Sequence, residues 1–563
     1  MSLLLPNLLG RVNGAMLNDK QVLDRQERNE LLKIAEKLAG NHAIEACCAY
    51  GSKVAGYARS DSDYDLLLVL KKYDHVIKYL YDKNELDVSV LIVDSRSLVK
   101  DAEKASLGEF VIGRLLHPYE PLINTDYLIE IEKRYKKRVI LEELRELAAT
   151  DALYTELLIP LSYFLYSKLQ KRAKIYPHAF YSYVRTYSDE HGKKNLEKSM
   201  KGFILALQEL EREGYIQSDN GFIKILDKKI TFKHGTDASL KMSNMVRGVF
   251  SWLVHTYAGR RTLVFVKQEA KAKLKRWKAV GNIPREMENP RSMLQLEEGM
   301  HIEGEKWLKE LATKLGFTDY SVNRKKLGDL NAATVLYTIS ENERTEKLVV
   351  KQFASVMALK WTALNVWAAG VKKFDADPLS RLRREYRAMR YLRNIGVHTP
   401  DIIAFVPDKK LLVTRYIEGT KLSDIIDSVL LGKSDDTSTI TRWGRVLQIL
   451  HAKGHTVMDT KASNMLFCDD KLYFTDLEQF TFDDDKAWDI ACFVYYSMKF
   501  TSNEEGARKI VRAFLDGYMQ NGNVYIVKKA LNKKYVSPFY PALVLGIITA
   551  VRDEIKSCVT SYS

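Results

Sequence analysis

Two aspartates two residues apart, Asp63 and Asp65, stand at the head of the apolar run Leu66-Leu67-Leu68-Val69-Leu70. A short apolar run bounded by turn residues reads as a buried strand, and a buried strand commits its neighbours to a packed sheet. Alternate side chains of a strand share a face, so both carboxylates emerge together at one end. Upstream, residues 43–50 (Ala-Ile-Glu-Ala-Cys-Cys-Ala-Tyr) read as another buried strand running into Gly51-Ser52. Downstream, Asp87 opens a third strand-like run through Val93. Glycine lets backbone amides approach a triphosphate closely, and the Ser52 hydroxyl can donate to a terminal phosphate oxygen. Three carboxylates on two strands beside that turn are hard ligands for Mg²⁺ or Mn²⁺. A pair of such ions roughly 3.5–4 Å apart is what a two-metal nucleotidyl transfer requires. Asp63 and Asp65 alone would equally cap a turn; the ordered set Gly51, Ser52, Asp63, Asp65 and Asp87 carries the reading.

This set resembles the DNA polymerase β-type nucleotidyltransferase superfamily, in its minimal form, over residues 20–125. The resemblance implies that Asp63 and Asp65 hold the metal pair, and that Asp87 ligates one ion and helps to deprotonate the acceptor. It also implies that Gly51 and Ser52 position the phosphates of ATP, the nucleotidyl donor.

The chain has 563 residues, too many for one core, and three or four domains are expected. Lys and Arg number 87 against 72 Asp and Glu, a net charge of +15 that favours polyanionic partners. The five cysteines show no metal-ligand spacing, which suits free thiols and a cytoplasmic setting. Leu3-Leu4-Leu5-Pro6 is too short for a secretion signal, and no apolar stretch is long enough to span a membrane.

Residues 126–160 alternate charges around a Leu/Ile stripe that includes Leu141, Leu144 and Leu147, an amphipathic helix expected to pack on the first domain. Helical runs near 163–169, 180–186 and 199–213 precede two short strands around Ser218-Asp219-Asn220. Helices followed by a small hairpin look like a winged helix-turn-helix, a module that binds nucleic acid or protein. Between residues 256 and 280 eight Lys/Arg (Arg260, Arg261, Lys267, Lys271, Lys273, Lys275, Arg276, Lys278) face one acid, Glu269. As a helical face they would form a site for RNA, tRNA included, or DNA; residue by residue they read as a solvated linker. Pro284 and Pro290 mark a linker to the last domain.

The C-terminal part changes character. Strand candidates at 334–340 and 347–353 place Lys351 on the second, and a charged helix at 379–392 carries Glu385. Asp459-Thr460-Lys461-Ala462-Ser463-Asn464 follows a helix, and a short hairpin ends at Asp476-Leu477-Glu478. These parts resemble a protein-kinase-like domain over residues 317–563, closest to the RIO family and the kinase subunit of the KEOPS tRNA-modification complex. The resemblance implies that Lys351 clamps phosphates and pairs with Glu385, and that Asp459 orients the accepting hydroxyl. It further implies that Asn464 and Asp476 bind metal and that Asp489 braces the catalytic loop. Three positions depart from the family pattern. Val457-Met458 replaces His-Gly, Leu477-Glu478 replaces Phe-Gly, and the phosphate loop holds one glycine, Gly328.

The expected architecture is therefore a multidomain α+β chain in four parts. A nucleotidyltransferase domain spans 1–125, a helical and winged-helix-like domain 126–235, a basic helical connector 236–315 and a bilobal kinase-like domain 316–563. The expected function is Mg²⁺-dependent nucleotidyl transfer from ATP by the first domain and serine/threonine-type phosphoryl transfer by the last, with a protein acceptor in view and small-molecule phosphorylation left open by the departure from Phe-Gly. Two alternatives stand beside it. One has a single active head regulated by a degenerate ATP-binding partner domain, the other a nucleic-acid-binding regulator built on catalytic folds.

Overall fold

A computed structural model describes residues 22–83, 86–175, 179–188, 190–226, 283–327, 334–353, 375, 377–482 and 485–562. Gly328 and the basic run at 256–280 lie outside the described residues. Contacts divide the chain into two compact units, residues 1–297 and 298–563.

The first unit opens with helix α1 (Arg25–Ala39), started by a reciprocal capping box between Asp24 and Glu27. Strand β1 (Ile44–Tyr50) runs into Gly51 and the four-residue helix α2 (Ser52–Ala55). Strands β2 (Tyr64–Leu70), β3 (Ile77–Lys83) and β4 (Asp87–Asp94) follow, then helix α3 (Ser95–Lys104) and strand β5 (Glu120–Ile123). They form one mixed sheet in the order β3-β4-β2-β1-β5, with β2 and β4 parallel and adjacent. Leu66, Leu68, Val88, Val90 and Ile92 share a core with Leu31, Ile34 and Ala35 of α1, while Leu67, Val69 and Leu91 are equally buried on the other face. Burial on both faces explains the unbroken apolar runs of β2 and β4. Strand β3 went unread in the sequence because, as an edge strand, it keeps Tyr79 and Tyr81 exposed and mixes polar with apolar residues.

Helix α4 (Thr125–Thr150) carries the expected stripe, with Leu144 and Leu147 buried and Leu141 half-buried. Strand β6 (Leu157–Pro160) and helices α5 (Ser162–Ile175), α6 (Phe180–Ser188) and α7 (Gly192–Arg212) lead to the hairpin β7 (Ile216–Asp219) and β8 (Phe222–Ile225). A short strand β9 (Gln295–Leu296) completes the sheet β7-β8-β6-β9.

The second unit begins with β10 (Met300–His301), helix α8 (Trp307–Lys314) and the strands β11 (Ser321–Leu327), β12 (Thr334–Glu341) and β13 (Arg344–Gln352). Helix α9 (Pro378–Asn394) and strands β14 (Ile402–Val406) and β15 (Leu411–Arg415) complete a sheet in the order β10-β14-β15-β13-β12-β11. Leu348 and Val350 of β13 join the core with Leu311 of α8, so alternation sends Lys351 to the opposite face. Beyond it lie β16 (Thr420–Lys421), α10 (Leu422–Leu430) and α11 (Ser438–Ala452). Strands β17 (His455–Thr456), β18 (Met465–Cys468), β19 (Lys471–Phe474) and β20 (Thr481–Phe482) come next. Helices α12 (Ala487–Ser497), α13 (Glu504–Met519), α14 (Val524–Ala530) and α15 (Leu545–Ser561) close the chain. Helices α11 and α13 cross backbone to backbone, since a Cβ on Gly444 would stand 2.1 Å from the Phe514 carbonyl oxygen.

The five cysteines are free. Among the described residues no helix is long and apolar enough to cross a membrane.

Candidate active sites

In the first unit the parallel register sets Asp65 beside Ser89 and Tyr64 beside Val88. One step back along both strands, Asp63 and Asp87 fall on the face that carries Asp65 and Ser89. Ser89 donates to the Asp63 carboxylate (2.5 Å), which fixes Asp63 across the strand pair. Asp63 and Asp65 are half-buried and Asp87 is exposed. Gly51 has φ +83°, and a Cβ there would lie 2.1 Å from Asp65 Oδ2. Glycine is therefore required twice over, for the backbone conformation and for room beside the carboxylate. Ser52 follows at the first position of α2. Around this face stands Tyr50, whose hydroxyl is pushed up by burial with Asp65 adding to the effect. Tyr79 stands there too, a largely exposed residue whose hydroxyl end is desolvated near Ser89 and Asp65 and pushed up likewise. Arg114, on the 3₁₀ turn Ile112–Leu116, rests its guanidinium on the Tyr50 ring (5.5 Å). Nothing in the sequence reading pointed to Arg114; it lies in a stretch without a motif, and only the fold brings it here.

All three aspartates are hard oxygen donors on one face, a donor set that fits Mg²⁺ or Mn²⁺. Their oxygens do not form a trio within 4.8 Å of one another; among the described residues of the second unit, Glu385, Asp476 and Glu478 do.

In the second unit Lys351 sits at the centre of that cluster. Its ammonium lies 2.6 Å from Glu385, 2.8 Å from Asp476 and 3.5 Å from Glu478. Glu385 arrives on α9 and is 3% exposed. Buried Arg381, one turn earlier, takes Glu478 at 2.9 Å. Burial works against the Lys351 charge, but the surrounding carboxylates hold it well above the ordinary lysine range. An ion pair would ordinarily pull Glu385 down. Burial and the repulsion of Asp476 and Glu478 instead win over Lys351 and push Glu385 up to about 8. Lys351 and Arg381 are two cations for three carboxylates, so with all three ionised the cluster is one positive charge short, a balance a cation would restore. Glu478, a third acid the sequence reading noted only as a departure, belongs to this cluster.

The loop carrying Asp459 is braced by Asp489, which is 0% exposed. Asp489 accepts from the Val457 and Met458 amides (2.7 and 2.8 Å) and faces His451 Nε2 at 3.2 Å. Met458 has φ +69°, a conformation unusual for a side chain with a Cβ, and Trp488 Nε1 pins its carbonyl at 2.7 Å. Asp459 is paired with Lys461 at 2.9 Å, a residue the sequence reading quoted without assigning; its place two after Asp459 was the available signal. Asn464 donates to the Asp459 carbonyl (3.1 Å), closing the loop on itself.

Residues 32–108 match the family model described as Polymerase beta, Nucleotidyltransferase. The chain is 30% identical over 104 residues to KEOPS complex subunit Bud32 of Pyrococcus abyssi, an alignment covering 18% of this chain and 46% of that protein. It is 29% identical over 106 residues to a probable bifunctional tRNA threonylcarbamoyladenosine biosynthesis protein of Methanothermobacter thermautotrophicus, covering 19% of this chain and 18% of that one. The chain thus spans less than half the length of these curated relatives. Among solved structures, the aminoglycoside phosphotransferase APH(4)-Ia is similar at 12% identity and a TM-score of 0.21, over 46% of this chain and 98% of that one. WaaP in complex with acyl carrier protein is similar at 12% identity and a TM-score of 0.25, over 42% and 89%.

Proposed function

We propose that the chain is a two-headed ATP-using transferase, with a nucleotidyl-transfer head in residues 1–125 and a phosphoryl-transfer head in residues 316–563. The observation that carries the two-headed reading is Lys351, held at 2.6 Å from Glu385 and 2.8 Å from Asp476. That arrangement presents a cation to phosphates beside carboxylates able to hold a metal, in a chain whose residues 32–108 already match a nucleotidyltransferase family. Mg²⁺, when bound, supplies charge neutralisation of the phosphates at both heads.

At the first head Asp63 and Asp65 hold the metal ions, Ser52 and the Gly51 backbone position the phosphates, and Asp87 draws the proton from the acceptor hydroxyl. At the second head Lys351 grips phosphate oxygens and Glu385 orients it. Asp476 and Asn464 hold metal, and Asp459 receives the acceptor hydroxyl as a hydrogen-bond donor. Lys461 keeps a positive charge at the place where the transferred group passes. The acceptor of the second head is a protein serine or threonine. The helix–helix–hairpin order of α6, α7, β7 and β8, with β6 added to the hairpin, supports a winged helix that presents nucleic acid. tRNA, the class in the name of one relative, is the favoured candidate, and the setting is the cytoplasm.

The test incubates the chain with Mg²⁺ and ATP labelled at the α or the γ phosphate, against a panel of tRNAs and cell-extract proteins. Asp63→Asn should abolish α-label transfer alone, and Asp459→Asn γ-label transfer alone. Transfer of neither label by the natural chain would overturn the proposal.

A further inference from the structure

Among the described residues the Arg114 guanidinium forms no ion pair, although the Asp65 charge acts on it. Its carbon lies 5.5 Å from the centre of the Tyr50 ring and 5.2 Å from that of Phe110. Its Nε is buried and has no hydrogen-bond partner, and among the described residues no ion pair reaches it. Arg114 is half-buried, and a polar Nε taken out of water without a partner is costly in an unliganded fold. Burial works against its charge and so does Arg172, yet Tyr50, Tyr79 and Asp65 hold it above the ordinary arginine range. The same Asp65 lies against Gly51, and Tyr50 is its register partner on β1. Arg114 therefore stands at the aspartate face.

The charge balance of that face needs such a residue. A nucleoside triphosphate brings about four negative charges to three carboxylates, and two divalent cations leave an excess of roughly three. Stacking on two aromatic rings fixes the plane of the guanidinium while leaving its edge donors to form paired bonds to phosphate oxygens. The arginine is carried by a turn well separated in sequence from the Gly-Ser and aspartate motifs, so it adds a contact those motifs do not provide.

We propose that Arg114 receives the oligophosphate of the nucleotide bound at the first head, an inference that rests on the nucleotidyl-transfer reading. The probe is inorganic tripolyphosphate, titrated into the full chain with hydrogen exchange followed peptide by peptide. Peptides from residues 44–70 report the first unit and those from 334–353 the second. Arg114→Gln is expected to raise the midpoint at residues 44–70 by roughly ten- to a hundredfold, the range for a lost charge-assisted contact. Arg114→Lys should fall between it and the natural chain, and the midpoint at 334–353 should stay put. An unchanged midpoint at 44–70 in Arg114→Gln overturns the proposal. Should that variant fail to fold, the natural chain decides: tripolyphosphate must protect the peptide containing residues 110–116, and no protection there refutes the assignment. If α-label transfer fails while Arg114-dependent tripolyphosphate binding holds, the nucleotidyl reading falls and the oligophosphate site stands. If α-label transfer succeeds while Arg114→Gln alters neither the midpoint nor the KM for ATP, the site falls and the reading stands.

Discussion

Glu385→Gln should make the second unit more stable at alkaline pH while destroying its proposed chemistry. Glu385 is pushed from 4.5 up to about 8 in the fold, by burial first and by Asp476 and Glu478 next, against the pull of Lys351. A carboxyl with a raised native value contributes stability that is fully present below its unfolded value and is lost as pH rises through the native one. Between about pH 5 and 8 the folded unit binds one more proton than the unfolded chain, so stability falls by up to about 1.4 kcal/mol per pH unit. The fall sums to about 4 kcal/mol and levels off above pH 8. Lys351, held above the ordinary lysine range, stays charged throughout this window and does not contribute to the slope. Glutamine mimics the protonated acid, so the variant should match the natural chain near pH 5 and exceed it near pH 8.5 by about 4 kcal/mol. The assay is urea unfolding in metal-free buffer across that range, followed by fluorescence of the buried Trp443 and Trp488. Parallel pH profiles for the two chains, or a variant less stable than the natural chain at pH 8.5, would refute the electrostatic argument. The variant should also lose γ-label transfer, because Lys351 then lacks its nearest carboxylate, at 2.6 Å, and is left to Asp476 and Glu478.

Mg²⁺ should reverse the alkaline loss: its stabilisation of the second unit, read as a thermal shift, should grow from pH 6 to 8 as Glu385 ionises. Gly51→Ala should cost about 1–2 kcal/mol in backbone strain alone. It should also displace Asp65, so the unfolding midpoint of the first unit and α-label transfer both fall while γ-label transfer persists. Asp489→Asn keeps one acceptor for two buried amides, so roughly 2 kcal/mol of stability in the second unit should go. The positive-φ turn at Met458 should relax with it, and kcat for γ-label transfer should drop further than KM changes.

Much of both sites was legible because period-2 alternation in a buried strand admits few interpretations. Asp63 and Asp65 had to share a face, and Lys351 had to point away from Leu348 and Val350. Edge strand β3 was not legible, since one exposed face erases the apolar run that marks a strand. The short Asp-Leu-Glu segment showed its departure from Asp-Phe-Gly but not its consequence, which depends on the place Glu478 takes beside Lys351.

The sequence by itself determined which residues carry charge and metal-binding oxygens, and which strands hold them, because strand geometry is local. Only tertiary structure decided that β2 and β4 are parallel neighbours, with Ser89 donating to Asp63 across them. The same holds for Arg114 beside the aspartate face and for three carboxylates closing around Lys351. Those facts depend on contacts between residues far apart in the chain, and on how burial weakens the screening that water gives exposed charges.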